Sequence, residues 1–231
     1  MKMIINGTMG ALLVLLVYGC MLIPEQVEQV AWRIDSLETI GGHPVTVIGD
    51  PKVVQTRYGK AVTFDGDGDR IQVPHNPLGD ATEFTVEIVF RANDVYPDNW
   101  EPRFLHIQDP ENPQRRITIE LRLTDSGQWY LDAFIMSELS NYTLIDATLL
   151  HPTEKWAHAA ITFKDRTFTS YVNGVEELSA EVDYLPIGER GMTSIGGRMN
   201  DVHWFNGDIL TIRVTHRVLA PEEFVVFEDL Y

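Results

Sequence analysis

A side-chain period of two constrains this chain more than any other feature. Phe84-Thr-Val-Glu-Ile-Val-Phe-Arg91 alternates, and so do residues 117–123, 128–135, 156–163, 168–173 and 208–214. Residues i and i+2 of a strand share one face, so each segment can bury one row and present the other. Asp65-Gly-Asp-Gly, Asp125-Ser-Gly, Lys164-Asp-Arg-Thr and Asn173-Gly174 supply turn residues between them. Many short strands without a helical run predict an all-β fold, an antiparallel two-sheet sandwich or a barrel. Residues 95–103 and 136–152 are the longest irregular stretches, and long loops on a rigid sheet scaffold are where binding sits.

Two hairpins fix their own register. A three-residue turn at Asp125-Ser126-Gly127, with Gly127 left-handed, sets Thr124 opposite Gln128. Leu123, Leu121 and Ile119 then meet Trp129, Leu131 and Ala133, apolar on apolar. The other face receives Arg122 opposite Tyr130 and Glu120 opposite Asp132. A slip of one residue would mix polar with apolar on the buried face, which disfavours it. In the second hairpin Phe163 meets Phe168, Ala159 meets Val172, and His158 lies opposite Asn173.

The N-terminus is different material. Lys2 precedes an apolar run over residues 9–17, too short to span a bilayer but suited to an export signal. Val17-Tyr18-Gly19-Cys20 follows, and Cys20 is the chain's one cysteine. This resembles a bacterial lipobox, in which the cysteine is acylated; an uncleaved anchor and an ordinary cleaved signal are the alternatives. All three predict an exported protein, lipid-anchored in the cell envelope or secreted. The expected organisation is a signal or anchor over 1–20, a tether over 21–31 and one domain over 32–231. Membrane contact is expected through the N-terminal anchor only.

A formal charge of −16 argues against nucleic acid as a partner, because polyanion binding needs a basic face. A lone cysteine excludes a disulfide scaffold within the chain. Asp65-x-Asp67-x-Asp69 has the opening spacing of a calcium-binding EF-hand loop, but Arg70 and Asn76 stand where glycine and a bidentate glutamate are required, so it reads as a tight turn. The histidines lack zinc-site spacing. No serine elbow, phosphate loop or dinucleotide fingerprint is present. No metal or other cofactor is expected.

The order of segments carries a resemblance. Lys60-Ala-Val-Thr-Phe-Asp-Gly-Asp-Gly-Asp-Arg-Ile-Gln-Val-Pro74 is similar to the first signature of LamG-like, concanavalin A-type jelly-roll domains. Lys155-Trp-Ala-His-Ala-Ala160, Ser170-Tyr-Val-Asn-Gly174, Ser194-Ile-Gly-Gly197, Phe205-Asn-Gly207 and Arg217-Val-Leu-Ala-Pro-Glu-Glu-Phe224 resemble that family's later segments in order. The resemblance implies two curved antiparallel sheets with glycans bound on the concave face or its rim. It also implies a structural calcium in many relatives, held by an acid where this chain has Leu210, with Asp208 the nearest carboxylate. The Glu-x-Asp-x-Glu strand of laminarinase-type relatives is absent. Thr118-Ile-Glu-Leu-Arg122 faintly resembles a strand of jelly-roll alginate lyases.

The candidate site follows from the first hairpin. Glu120 and Asp132, directly opposite, are the candidate catalytic pair if this is a carbohydrate-active enzyme, since coupled carboxylates can divide acid and base roles. The same pair with Arg122, Tyr130, His106 and His158 is the candidate ligand-binding set, hydrogen-bonding sugar hydroxyls while Tyr130 or Trp100 stacks on a ring. A solvated surface in which Arg122 bridges both acids is the alternative. Arg103, Arg115, Arg116 and Arg122 cluster around this face and leave a locally basic rim open to an acidic sugar. The expected role is binding a glycan or glycosylated protein; a glycoside hydrolase or polysaccharide lyase, and a cell-surface adhesion or assembly module, are the alternatives.

Overall fold

The computed structural model describes residues 28–225, and the export segment, Cys20 and most of the expected tether lie outside them. Two antiparallel sheets contribute to one buried core. The first sheet runs Val175–Glu181, Thr167–Val172, Trp156–Lys164, Phe84–Ala92, Asn206–Thr215, Gly59–Asp65 and Lys52–Thr56. The second runs Asn141–Ile145, Gln128–Met136, Asn112–Leu123, Arg103–Asp109, Met192–Ile195, Arg70–Val73 and Thr46–Ile48. Among the described residues the one helical piece is a 3-10 turn, Pro221–Glu223. This is the sandwich that the period-two pattern predicts.

Where the alternation is strong, the observed strands coincide with it. Where one side chain or none is buried, the alternation gives no signal. The stretch 136–152, read as irregular, contains the edge strand Asn141–Ile145, in which Leu144 alone is buried. Residues 29–31, at the end of the expected tether, lie in a strand. Gln29–Arg33 pairs with Asn206–Thr215, and this seats Trp32 in the core.

Both hairpin registers agree with the apolar pairing argument. Glu120 pairs with Asp132, Arg122 with Tyr130, and Leu121 with Leu131. Gly127 is left-handed at φ 69°, and the Thr124 amide donates to the Gln128 carbonyl at 2.9 Å, closing the three-residue turn. Phe163 meets Phe168 and Ala159 meets Val172 in the other hairpin. Beneath the Glu120 strand, Phe104 packs between Phe90 and Phe205, with ring centroids 4.6 and 5.2 Å away, and Trp129 lies 5.3 Å from Phe90.

This aromatic cluster is the rigid floor of the second sheet. Phe104 is fully buried, so Phe104→Ala should leave a cavity and cost about 3–5 kcal/mol of stability. Urea unfolding measures this; a loss well under 1 kcal/mol would show that the floor can collapse around the void.

Candidate functional site

The outer face of the second sheet carries polar side chains in successive rungs. Arg103, Glu120, Asp132 and Ile145 form one rung across four strands. His106, Thr118, Phe134 and Thr143 form the next. Arg103 joins its rung through a register shift between Ile119 and Glu120, with Phe104 and Leu105 both buried beside it. From the other side, Gly196-Gly197 turns the chain back over the sheet. Gly196 is left-handed at φ 85°, and a Cβ there would stand 2.2 Å from the Phe64 ring, so only glycine fits. That turn delivers Arg198 to within 3.8 Å of Glu120.

The like charges of Glu120 and Asp132 are therefore embedded among guanidiniums. Arg103 Nε lies 3.3 Å from Glu120, and Arg122 contacts Asp132 at 2.5 Å. Glu101 pairs with both Arg103 and Arg122 at the rim. The surface is not the solvated one considered from sequence: Glu120 and Asp132 are buried. Burial pushes both carboxyls above their ordinary values, and Asp132 adds to the rise at Glu120, while the surrounding arginines oppose it.

A pocket of about 320 Å³ opens over these groups, lined by Arg103, Arg116, Glu120, Arg122, Asp132 and Arg198 together with neighbouring side chains. Beside it lies a broader groove of about 590 Å³ whose walls include Tyr96, Trp100 and Tyr130. The two share one strand, which presents Tyr130 to the groove and Asp132 to the pocket. Arg122 bridges them, its guanidinium 5.4 Å from the Trp100 ring centre. The loop 95–103 is pinned by backbone bonds from Leu121 to Pro102 and from Leu123 to Trp100, both 2.9 Å. Trp100 is thus held in place although its side chain is exposed.

The structure brings together Glu120, Arg122, Tyr130 and Asp132. His106 lies on the same face but is 1% exposed and therefore beneath the surface. Its Nδ1 accepts the Met199 amide at 3.1 Å, which anchors the turn bearing Arg198 and leaves the ring proton on Nε2. His106 positions an arginine and does not face the pocket. His158 is not part of this face at all. It sits in the first sheet, bonded to Glu87 at 3.1 Å and covered by Phe224. Arg213 and the Val225 amide also bond Glu87. Burial pushes the Glu87 carboxyl up, but these hydrogen bonds together hold it below its ordinary value. Arg115, counted in the basic rim from sequence, is turned away to Glu138. Glu101 and Arg198 escaped the sequence reading; the one local signal was their place in the long loop and beside the Gly-Gly pair.

At the position where an acidic calcium ligand was considered, Leu210 packs with Ala61 and Val89, and Asp208 is paired with Arg91 at 2.8 Å. These residues do not fit a calcium site. Among the described residues no group of three or more His, Cys, Asp or Glu side chains could hold a metal ion. Asp65 and Asp69 act within the turn, Asp69 accepting the Asp50 and Asp65 amides at 2.6 and 3.1 Å.

The sequence profile of the Concanavalin A-like lectin/glucanases superfamily matches residues 65–224. The chain belongs to this superfamily. Among solved structures it is similar to domain 4 of AbnA, a GH43 extracellular arabinanase from Geobacillus stearothermophilus, in complex with arabinotriose. That match has 19% identity and a TM-score of 0.65, and covers 89% of this chain and 99% of that domain. It is also similar to the binding domain of botulinum neurotoxin DC in complex with rat synaptotagmin II, at 17% identity and TM-score 0.61, over 88% of this chain. The match covers 52% of that toxin domain, about half its length. A comparison with curated protein sequences finds none that matches. At these identities the solved structures establish the fold alone.

Within that fold, His106 has a distinct pH signature. Burial, with Arg198, Arg116 and Arg103 nearby, lowers its pKa from 6.5 to about 3. Between these values the unfolded chain binds a proton that the folded chain refuses. The neutral imidazole's stability is therefore complete above pH 6.5 and is lost as pH falls toward 3. Replacing His106 with Gln removes this titration. The stability gap between wild type and His106→Gln should narrow by about 2 kcal/mol between pH 7 and pH 5. Urea titrations at both pH values test it, and a gap that does not change with pH would show that His106 is not buried neutral.

Proposed function

We propose that this protein binds carbohydrate on the outer face of its second sheet, as an exported domain tethered to the cell envelope through Cys20. One observation carries the binding reading: a fixed aromatic groove continues into a pocket of guanidiniums and carboxylates on a single rigid sheet. Sugar rings combine apolar C–H faces with equatorial hydroxyls, so they suit an aromatic wall beside charged hydrogen-bonding groups. Trp100 and Tyr130 supply the stacking wall, and Arg122 and Asp132 supply donors and acceptors next to it. The superfamily's lectins, and the relative solved with arabinotriose, support this choice over an unrelated small molecule. A glycosylated protein would present the same chemistry.

Glycan-array binding followed by calorimetry tests the reading on the full chain. Trp100→Ala should weaken retention by about tenfold or more, the cost typical of an aromatic anchor. Retention of the oligosaccharide unchanged supports a binder. Release of new reducing ends or unsaturated sugars, stopped by Glu120→Gln, would instead establish the Glu120/Asp132 pair as catalytic. An array with no retained glycan would defeat the proposal and favour an adhesion module.

The tether has its own test. Cys20→Ser should move the protein from the membrane pellet to the soluble fraction and abolish labelling by a fatty-acid probe. Unchanged pelleting would point to an uncleaved anchor in place of a lipid.

A further inference from the structure

The guanidiniums of the pocket are not equally engaged. Arg103 and Arg122 are occupied by Glu101, Glu120 and Asp132. Arg116 has no carboxylate within 4.0 Å among the described residues; it donates to the Pro113 carbonyl and lies 5.0 Å over the Phe134 ring. Arg198 has a single distant carboxylate, Glu120 at 3.8 Å, and it reaches the Arg70 neighbourhood through its carbonyl alone. What sets Arg116 and Arg198 apart is the lack of a close carboxylate: Nε of Arg103, Arg116 and Arg198 and Nη1 of Arg122 are all buried without a hydrogen-bond partner, as is the Glu120 Oε1 acceptor. Unpaired guanidinium donors removed from water are costly, and a ligand that pairs them recovers that cost.

The charge balance of the pocket points the same way. Its lining holds four arginines against Glu120 and Asp132. That leaves an excess of two positive charges, or one when Glu101 at the rim is included. This local excess stands on a chain with a net charge of −16. An excess so small suits a monoanion; a dianionic phosphate would meet repulsion from the two carboxylates. A planar carboxylate matches the fork of a guanidinium bidentately. Both arginines are also partly desolvated, since burial lowers the pKa of each.

We propose that the glycan this site selects carries a carboxylate, a uronic acid residue seated between Arg116 and Arg198 while an adjoining ring stacks on Trp100 and Tyr130. This assignment rests on the carbohydrate-binding reading and adds the chemical class of the ligand.

The test compares uronic acid oligosaccharides, three to six sugars long, with the same oligosaccharides after reduction of their carboxylates to alcohols. Calorimetry on the full chain should show the acidic forms bound at least about tenfold more tightly, with affinity falling as salt rises. Arg116→Gln and Arg198→Gln should each remove about tenfold from the acidic ligand and leave the reduced one nearly unaffected. Arg166→Gln, an exposed position in a turn of the first sheet, makes the same charge change and should do neither. Unfolding midpoints close to wild type confirm that the variants fold. Equal affinity for acidic and reduced forms overturns the uronate assignment and leaves carbohydrate binding standing. Tighter binding of a sulfated neutral oligosaccharide than of the uronate also overturns it. If neither form binds, the carbohydrate-binding reading falls as well.

Discussion

The apolar pairing between Asn112–Leu123 and Gln128–Met136 is the constraint on which the candidate site depends. Ile117, Ile119, Leu121 and Leu123 must meet Ile135, Ala133, Leu131 and Trp129 on the buried side. Because side chains alternate, that requirement places Glu120 against Asp132 and Arg122 against Tyr130 on the outer side. Two acids directly opposite one another are unfavourable. The core nevertheless dictates the arrangement, since a slip of one residue would expose the whole apolar row. Stability of the hairpin and chemistry of the face are thus two consequences of one register.

The rest of the site compensates that opposed pair from outside the hairpin. The register shift in Arg103–Asp109 brings Arg103 level with Glu120. The Gly196-Gly197 reversal brings Arg198 over from the neighbouring strand, and His106 holds the turn that carries it. Glu101 then ties Arg103 to Arg122 across the rim. Two backbone features and two side chains, drawn from residues 101–106 and 196–199, converge on this patch. Two arginines remain beyond what the two acids neutralise, and this gives the pocket a sign opposite to that of the protein.

The first sheet shows how similar ingredients give a closed arrangement. Glu87, His158 and Arg213 form a carboxylate, imidazole and guanidinium cluster like those that mark functional faces. Here the Val225 amide completes the hydrogen bonding of Glu87, and Phe224 covers the histidine. The polar groups are satisfied internally. Residue types alone therefore could not assign His158, and its place in a Trp-x-His-x-Ala strand drew it toward a site on the opposite side of the sandwich.

The sequence by itself determined the sandwich, its strongly alternating strands, both hairpin registers and so the identity of Glu120, Asp132, Arg122 and Tyr130 as neighbours. Those are local or hairpin-range properties, set by a period of two and by turn residues such as Gly127. Edge strands such as Asn141–Ile145 stayed hidden because a strand that buries one side chain leaves no alternating record. Tertiary structure alone decided that the acids are buried, that His106 is a support beneath the surface, and that Arg115 faces away while Arg116 and Arg198 face in. It also decided that Trp100 stands beside Arg122. These depend on which distant strands become neighbours, where a bulge shifts the pairing and how a glycine pair redirects the chain. Such contacts join residues nearly a hundred positions apart, as His106 and Met199 are, and the spacing of residues along a single chain does not encode them directly.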